Sequence, residues 1–164
     1  MRLAIIADTH MPRGARRLPE ECVRELERAD LILHLGDFSA ASVHAELEAI
    51  GPPLAAVHGN VDDAALRARL PEQLELELDA VRVVLLHDAG AAKGRLVRMR
   101  RRFPDADAVL FGHSHLPLHE REGGFQIFNP GSPTERRRAP TRMMGVGEIE
   151  RGALTLRHRE LSAH

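Results

Sequence analysis

The chain has 164 residues with nearly balanced charge, 23 Lys and Arg against 24 Asp and Glu, for a net charge of −1. A hydrophobic fraction of 43% excludes a disordered polymer, and no net field draws the chain to DNA or to an anionic membrane. An aromatic fraction of 3% argues against stacking platforms for single-stranded nucleic acid, and the single Cys22 excludes an internal disulfide and suits a reducing compartment. A chain of this length buries roughly 68–70% of its extended surface, so residues 1–164 read as one domain with its own core. Ten histidines are the unusual feature, and composition leaves their placement open.

Leu3 to Ala7 is a short apolar run that reads as a buried strand. It is too short for a signal or membrane segment, and Asp8 and His10 follow at once, so a cytoplasmic location is expected. Pro19 to Arg28 reads as helix, Leu31 to Leu35 as a second strand closed by Gly36-Asp37, and Ser39 to Ile50 as a second helix stopped by Gly51-Pro52-Pro53. Leu54 to Val57 is a third strand ending in His58-Gly59-Asn60. Asp62 to Leu70 is a short helix with Asp62 as its N-cap. Leu74, Leu76 and Leu78 then alternate with acids, and a turn at Ala80 leads into Val81 to Leu86, which predicts a hairpin. Lys93 to Phe103 reads as a basic helix with a solvated face carrying Arg98 and Arg100 to Arg102. Ala108 to Phe111, Phe125 to Phe128, Met143 to Ile149 and Leu154 to His158 read as the remaining strands. The order predicts an α/β protein with two layers of mixed sheet and helices outside.

The chemistry collects at strand ends. Asp8-Thr9-His10, Gly36-Asp37, Gly59-Asn60, His87 and Gly112-His113-Ser114-His115 each follow an apolar run. In open α/β sheets the carboxyl ends of the strands face the ligand, so these turns deliver Asp8, His10, Asp37, Asn60, His87, His113 and His115 to one edge. Taken singly, Gly-Asp and Gly-Asn are ordinary turn dipeptides. Taken together, carboxylate, amide oxygen and imidazole without thiolate suit two divalent ions, with Asp37 able to bridge them. Such a pair acidifies water and clamps the oxygens of a phosphoryl displacement. His34, His44, His119, His158 and His164 read as surface or supporting residues, and His44→Ala is expected to leave activity nearly unchanged.

These five motifs resemble the signature of the calcineurin-like metallophosphoesterases. The form Gly59-Asn60-Val61-Asp62 and the late Asn129-Pro130-Gly131-Ser132 resemble the small phosphodiesterase branch, which also contains the retromer scaffold subunit. The resemblance covers Arg2 to about Thr134. It implies a four-layer αββα sandwich, two mixed β-sheets flanked by helices, and a hydrolase with a binuclear metal centre. By that resemblance Asp8, His10, Asp37 and His115 hold one ion, and Asp37, Asn60, His87 and His113 hold the other. The ions would be manganese, with iron, zinc or nickel as alternatives. A metal-bound hydroxide would attack a phosphodiester, and Asn60, Asp37 and His87 would serve the reaction directly.

Two positions depart from the family pattern. Many members place a His after the motif Asn, where it protonates the leaving group; here Val61 stands there, which favours leaving groups of low pKa. Asp88 follows His87 where the branch often has Gly; it either orients a ligand His from behind or sits in a loop, and the loop is the favoured reading. His58 and Arg137 are candidate substrate contacts. The expected partner is a small phosphodiester or other phosphate-containing substrate, with no membrane and no nucleic-acid polymer; a homo-oligomer stays open. The competing readings are a phosphomonoesterase and a non-catalytic scaffold of the same fold. The full set of seven ligands favours the enzyme.

Overall fold

The computed structural model describes residues 1–162, so His164 lies outside the described residues. The chain runs β1 (Arg2–Ile6), α1 (Glu20–Glu27), β2 (Leu31–His34), α2 (Ala41–Glu48), β3 (Leu54–Ala56), α3 (Ala64–Arg69), β4 (Gln73–Leu78), β5 (Val81–Leu86), α4 (Arg95–Arg102), β6 (Ala108–Leu110), β7 (Leu118–Glu122), β8 (Phe125–Asn129), β9 (Arg142–Glu150) and β10 (Ala153–Leu161). The strands form two five-stranded sheets, ordered β10-β9-β1-β2-β3 and β4-β5-β6-β8-β7. Each has a parallel part, β1-β2-β3 reaching one edge of the first and β5-β6-β8 at the centre of the second, with antiparallel strands beside it.

Strand alternation builds the layers. Leu3 and Ile5 of β1 face a core between the sheets, with Leu33, Val83, Leu85, Leu110 and Phe128. Ala4 and Ile6 point the other way, onto Cys22, Leu26, Val43, Leu47 and Leu66 of α1 to α3. Val84, Leu86, Val109 and Ile127 of the second sheet pack on Met99 and Phe103 beside α4. Both faces of each parallel part are therefore covered, which is why those strands read as mostly apolar runs. The result is the expected αββα sandwich. No helix among the described residues is long and apolar enough to cross a membrane.

Four local expectations change. Asp63, not Asp62, caps α3: its Oδ1 accepts the Leu66 N–H at 2.9 Å. The second helix begins at Ala41 because Ser39 takes a φ of 87° and donates its N–H to Asp62. A strand also forms at Leu118–Glu122, where the reading of the sequence placed none. It is an edge strand with little apolar content, held by its antiparallel register with β8. The arginines of α4 are not simply solvated: Arg98 donates to the carbonyls of Ala89 and Ala91, and Arg102 donates to Gln73 Oε1.

Cys22 is completely buried, and burial pushes its thiol up to about 12. Iodoacetamide at about pH 8 therefore leaves the native protein unmodified and alkylates it only in denaturant, as intact mass reads directly. Labelling of native protein at the rate of a free thiol would contradict this burial.

Candidate metal centre

The parallel strands end at one edge, and the turns beyond them stay paired. Asp8 N–H donates to Gly36 O at 3.0 Å, His10 N–H to Asp37 O at 3.1 Å, and Gly112 N–H to His87 O at 2.9 Å. Asp8, His10, Asp37, His113 and His115 all have φ between 45° and 72°. Left-handed backbone costs roughly 1–2 kcal/mol for a residue with a Cβ. Five such residues at one edge mark a place where structure is held for function. The glycines allow close approach. A Cβ on Gly59 would lie 2.0 Å from Asp37 Oδ1, and one on Gly36 would lie 2.8 Å from both Gly59 N and His87 Nδ1.

Two clusters of ligand atoms result. Asp8, His10 and His115 form one, and Asp37, His87 and His113 the other, each with its donor atoms within 4.8 Å of one another. Asp37 Oδ2 lies between them, 3.6 Å from His10 Nε2 and 3.1 Å from His87 Nε2. Asn60 Oδ1 joins the second cluster, 3.1 Å from His87 Nε2 and 3.2 Å from His113 Nδ1. All seven residues singled out in the sequence therefore meet at this edge.

The hydrogen bonds orient these groups for a cation. His87 Nδ1–H donates to Leu35 O at 2.8 Å, and His115 Nδ1–H donates to Glu135 O at 3.2 Å. Both rings then turn an Nε2 lone pair inward, as carbonyl-anchored ligand histidines do. Asp8 Oδ2, both nitrogens of His10 and His115 Nε2 are buried with no hydrogen-bond partner among the described residues. Buried polar atoms left unpaired are costly, and a carboxylate oxygen gathered with imidazole nitrogens here fits a bound divalent cation.

The protonation tendencies agree. Burial pushes Asp8 up to about 7, and the neighbouring Asp37 charge adds to this. Burial also opposes charge on Asp37, yet its hydrogen bond to His87, the His87 charge and the Val61 N–H hold it below the usual carboxylate range. Burial opposes a proton on His87, but Asp37 and Asp8 outweigh it and raise that ring. His10 and His115 are lowered, chiefly by burial, His115 to about 4. The space beside Asp37 and Asp8 thus attracts positive charge, while the buried His10 and His115 rings stay neutral and able to ligate.

Several residues act from behind this edge. Asp62 is 5% exposed and accepts the N–H of Asp37 at 3.0 Å, of Gly59 at 2.6 Å and of Ser39 at 2.9 Å. It ties the turn after β2 to the turn after β3. His34 is also not a surface residue. Its Nδ1 accepts the Gly36 N–H at 3.1 Å, so its Nε2–H donates to Thr9 Oγ1 at 3.2 Å. Burial holds His34 well below the ordinary histidine range, hence neutral. Phe38 stacks on its ring at 3.5 Å, and His44, 6% exposed, lies against Phe38. His44 is therefore a buried packing residue. His119 and His158 pack on Phe128, and His158 donates to Asn129 O at 2.7 Å. Ser132 Oγ donates to Asp8 O at 2.8 Å, and Asn129 Nδ2 donates to Gly112 O at 2.9 Å, so Asn129-Pro130-Gly131-Ser132 braces both sheets.

His58 lines a cavity of about 440 Å³ with Asn60, His87, Asp88 and His113. Asp88 Oδ1 accepts the Gly90 N–H at 2.8 Å, a loop contact, while its Oδ2 stands 3.8 Å from His113 Nε2. Arg137 is exposed on the other side, 3.9 Å from Glu135.

A probable metallophosphoesterase of Methanothermobacter thermautotrophicus is 32% identical over 136 residues, spanning 82% of this chain and 78% of that protein. A phosphodiesterase of Methanocaldococcus jannaschii is 25% identical over 144 residues, spanning 80% and 83%. The crystal structure of Vps29 from Entamoeba histolytica in complex with zinc superposes with a TM-score of 0.77 at 20% identity, covering 98% of this chain and 99% of that one. Residues 1–152 match the calcineurin-like phosphoesterase superfamily domain, and with that fold and that edge of ligands in place, the chain belongs to the calcineurin-like phosphoesterase superfamily.

Proposed function

We propose that this chain is a cytoplasmic phosphodiesterase that works with two divalent ions, manganese first, with iron, zinc or nickel as alternatives. The observation that carries the reading is the pair of buried clusters with unpaired acceptor atoms and Asp37 Oδ2 between them. Asp8, His10 and His115 would complete one position, and Asn60, His87 and His113 the other, with Asp37 shared. When bound, two such ions acidify a water molecule and neutralise charge that builds on the phosphoryl oxygens.

The chain's own residues do the rest. His87 and His115 keep their protons on Nδ1, and this fixes which nitrogen faces inward. Asn60 turns Oδ1 toward His87 and His113, so its amide N–H groups are left to donate to a phosphoryl oxygen. Water adds to phosphorus, one P–O bond breaks, and a monoester and an alcohol leave. The Val61 side chain is exposed at 44% and carries no proton, so the alcohol must leave easily or draw its proton from water or substrate. His58 and Arg137 stand on opposite sides as substrate contacts. The diester preference rests on Val61 and on the similarity to the M. jannaschii phosphodiesterase.

The test is a metal-by-substrate matrix on protein stripped with chelator and reconstituted. Activity on bis(p-nitrophenyl) phosphate is expected to be absent without metal and restored by Mn2+, with kcat/KM at least about tenfold above that for p-nitrophenyl phosphate. Preference for the monoester would make the chain a phosphomonoesterase. Stoichiometric metal binding with no hydrolysis of any ester would make it a scaffold.

A further inference from the structure

A cavity larger than the one beside His87 lies elsewhere on the surface. It is a groove of about 1060 Å³ on the His10 side, lined by Arg13, Arg16, Arg17 and Arg142 together with Thr134. Its walls come from the loop after β1 and from the segment leading into β9, so no single stretch of sequence contains it.

The groove is rich in uncommitted positive charge. Arg13 and Arg17 are exposed, and neither they nor Arg142 makes an ion pair or a side-chain hydrogen bond among the described residues. Arg16 is half-buried, with Nη2 3.1 Å from Glu135 Oε1, while its Nη1 is buried and without a partner. Thr141 Oγ1, in the adjoining cavity that shares Arg16, Thr134 and Arg142, is also buried and unpartnered. The only acids at these walls among the described residues are Glu20, which faces Arg24 at 3.6 Å, and Glu135. Several guanidinium groups that lack acceptors, beside unpaired donors, form a receptor for phosphate.

The groove also adjoins the centre. Arg13 N–H donates to His10 O at 3.2 Å, and Thr134 Oγ1 donates to Thr9 O at 2.7 Å. Glu135, which holds Arg16, gives its carbonyl to His115. A ligand whose scissile phosphate sat between the two clusters could extend from there along the arginines. No aromatic side chain lines the groove, so it offers phosphate recognition without base stacking.

Building on the phosphodiesterase reading, we propose that the arginine groove formed by Arg13, Arg16, Arg17 and Arg142 binds a second phosphate of the substrate, so that the substrate carries at least one phosphate besides the scissile one and is selected by charge and not by base. Such a second phosphate can stand across a sugar from the scissile one or belong to a contiguous polyphosphate chain.

The experiment is calorimetry on the full chain reconstituted with Mn2+, using thymidine 5′-monophosphate, thymidine 3′,5′-bisphosphate and thymidine 5′-diphosphate. One or both two-phosphate ligands are expected to bind at least about tenfold more tightly than the monophosphate, with an advantage that shrinks as salt is added. Tighter binding of the bisphosphate places the second phosphate across a sugar; tighter binding of the diphosphate places it in a contiguous chain. The combined variant R13Q/R17Q/R142Q is expected to bring the advantage to within about twofold while hydrolysing bis(p-nitrophenyl) phosphate within about twofold of wild type. Equal binding of all three ligands, or an advantage that survives in the variant, overturns the proposal. Hydrolysis of diesters without that advantage leaves the phosphodiesterase reading standing and removes the groove from it. An arginine-dependent advantage in a protein that hydrolyses no diester keeps the anion site and removes the catalytic reading.

Discussion

Asp37→Asn is expected to lower kcat/KM for bis(p-nitrophenyl) phosphate by about a thousandfold, close to 4 kcal/mol of transition-state stabilisation. The substitution keeps the shape and removes the charge. Asp37 Oδ2 is the carboxylate oxygen that stands near His10 of one cluster and His87 of the other, while Oδ1 accepts the Val61 N–H at 3.0 Å. An asparagine oxygen can still accept from Val61, so the turn after β2 is retained. What is lost is the anion that two cations would share, and an amide N–H directed at a cation repels it. Metal content by elemental analysis is expected to fall from two ions per chain toward one, with the melting temperature of the metal-free protein within a few degrees of wild type. Wild-type activity in Asp37→Asn at full metal occupancy would remove Asp37 from the bridging role.

The strands and the ligand turns were legible because burial on both faces leaves parallel strands few polar positions. Each apolar run therefore stops where the chain reaches the sheet edge, and the first polar residue past it belongs to the site. Asp8, Asp37, His87 and His113 follow this rule, while Asn60 comes two residues after His58, the first polar residue past β3. Their supports were less legible because their partners lie far away in sequence. His34 sits inside β2, at a position that reads as core, and its two hydrogen bonds serve Thr9 and Gly36. Asp62 and Asp63 are adjacent acids before a helix, and local pattern does not say which one caps. The fold decides: Asp63 reaches Leu66 three residues on, whereas Asp62 reaches Asp37, 25 residues back. Strand β7 escaped notice because an edge strand needs only a partner's free backbone, and its residues carry little alternation. The arginine groove was divided between Arg13 to Arg17 and Arg142, and only the packing of the β1 loop beside β9 joins them.

Asp62→Ala tests whether the two central turns are held together by one carboxylate. The side chain is nearly fully buried and receives three backbone N–H groups, those of Asp37 and Gly59 on Oδ2 and that of Ser39 on Oδ1. Removing it leaves those donors buried without acceptors, at about 1–3 kcal/mol each when unrelieved and less in sum once the loop relaxes. A loss of about 3–4 kcal/mol in unfolding free energy is expected, measured by denaturant titration of the metal-free protein. The loss of position matters more for the site. Gly36 and Gly59 are already in contact so close that neither tolerates a Cβ, so a shift of either turn moves Asp37 and Asn60 together. Asp62 itself offers no atom to the ligand clusters, and its effect has to pass through those two residues. The half-saturating Mn2+ concentration for activity is therefore expected to rise by about 10- to 100-fold, the scale seen when groups that orient ligands are removed. Asp62→Asn keeps one acceptor oxygen but sets an amide N–H against a backbone donor, and it should fall between Ala and wild type. Excess Mn2+ restores most of the rate in Asp62→Asn, because every ligand is still present, whereas excess metal cannot restore Asp37→Asn, which lacks the shared charge. A melting curve and a Mn2+ dependence in Asp62→Ala equal to those of wild type would show that the two turns hold their register without it.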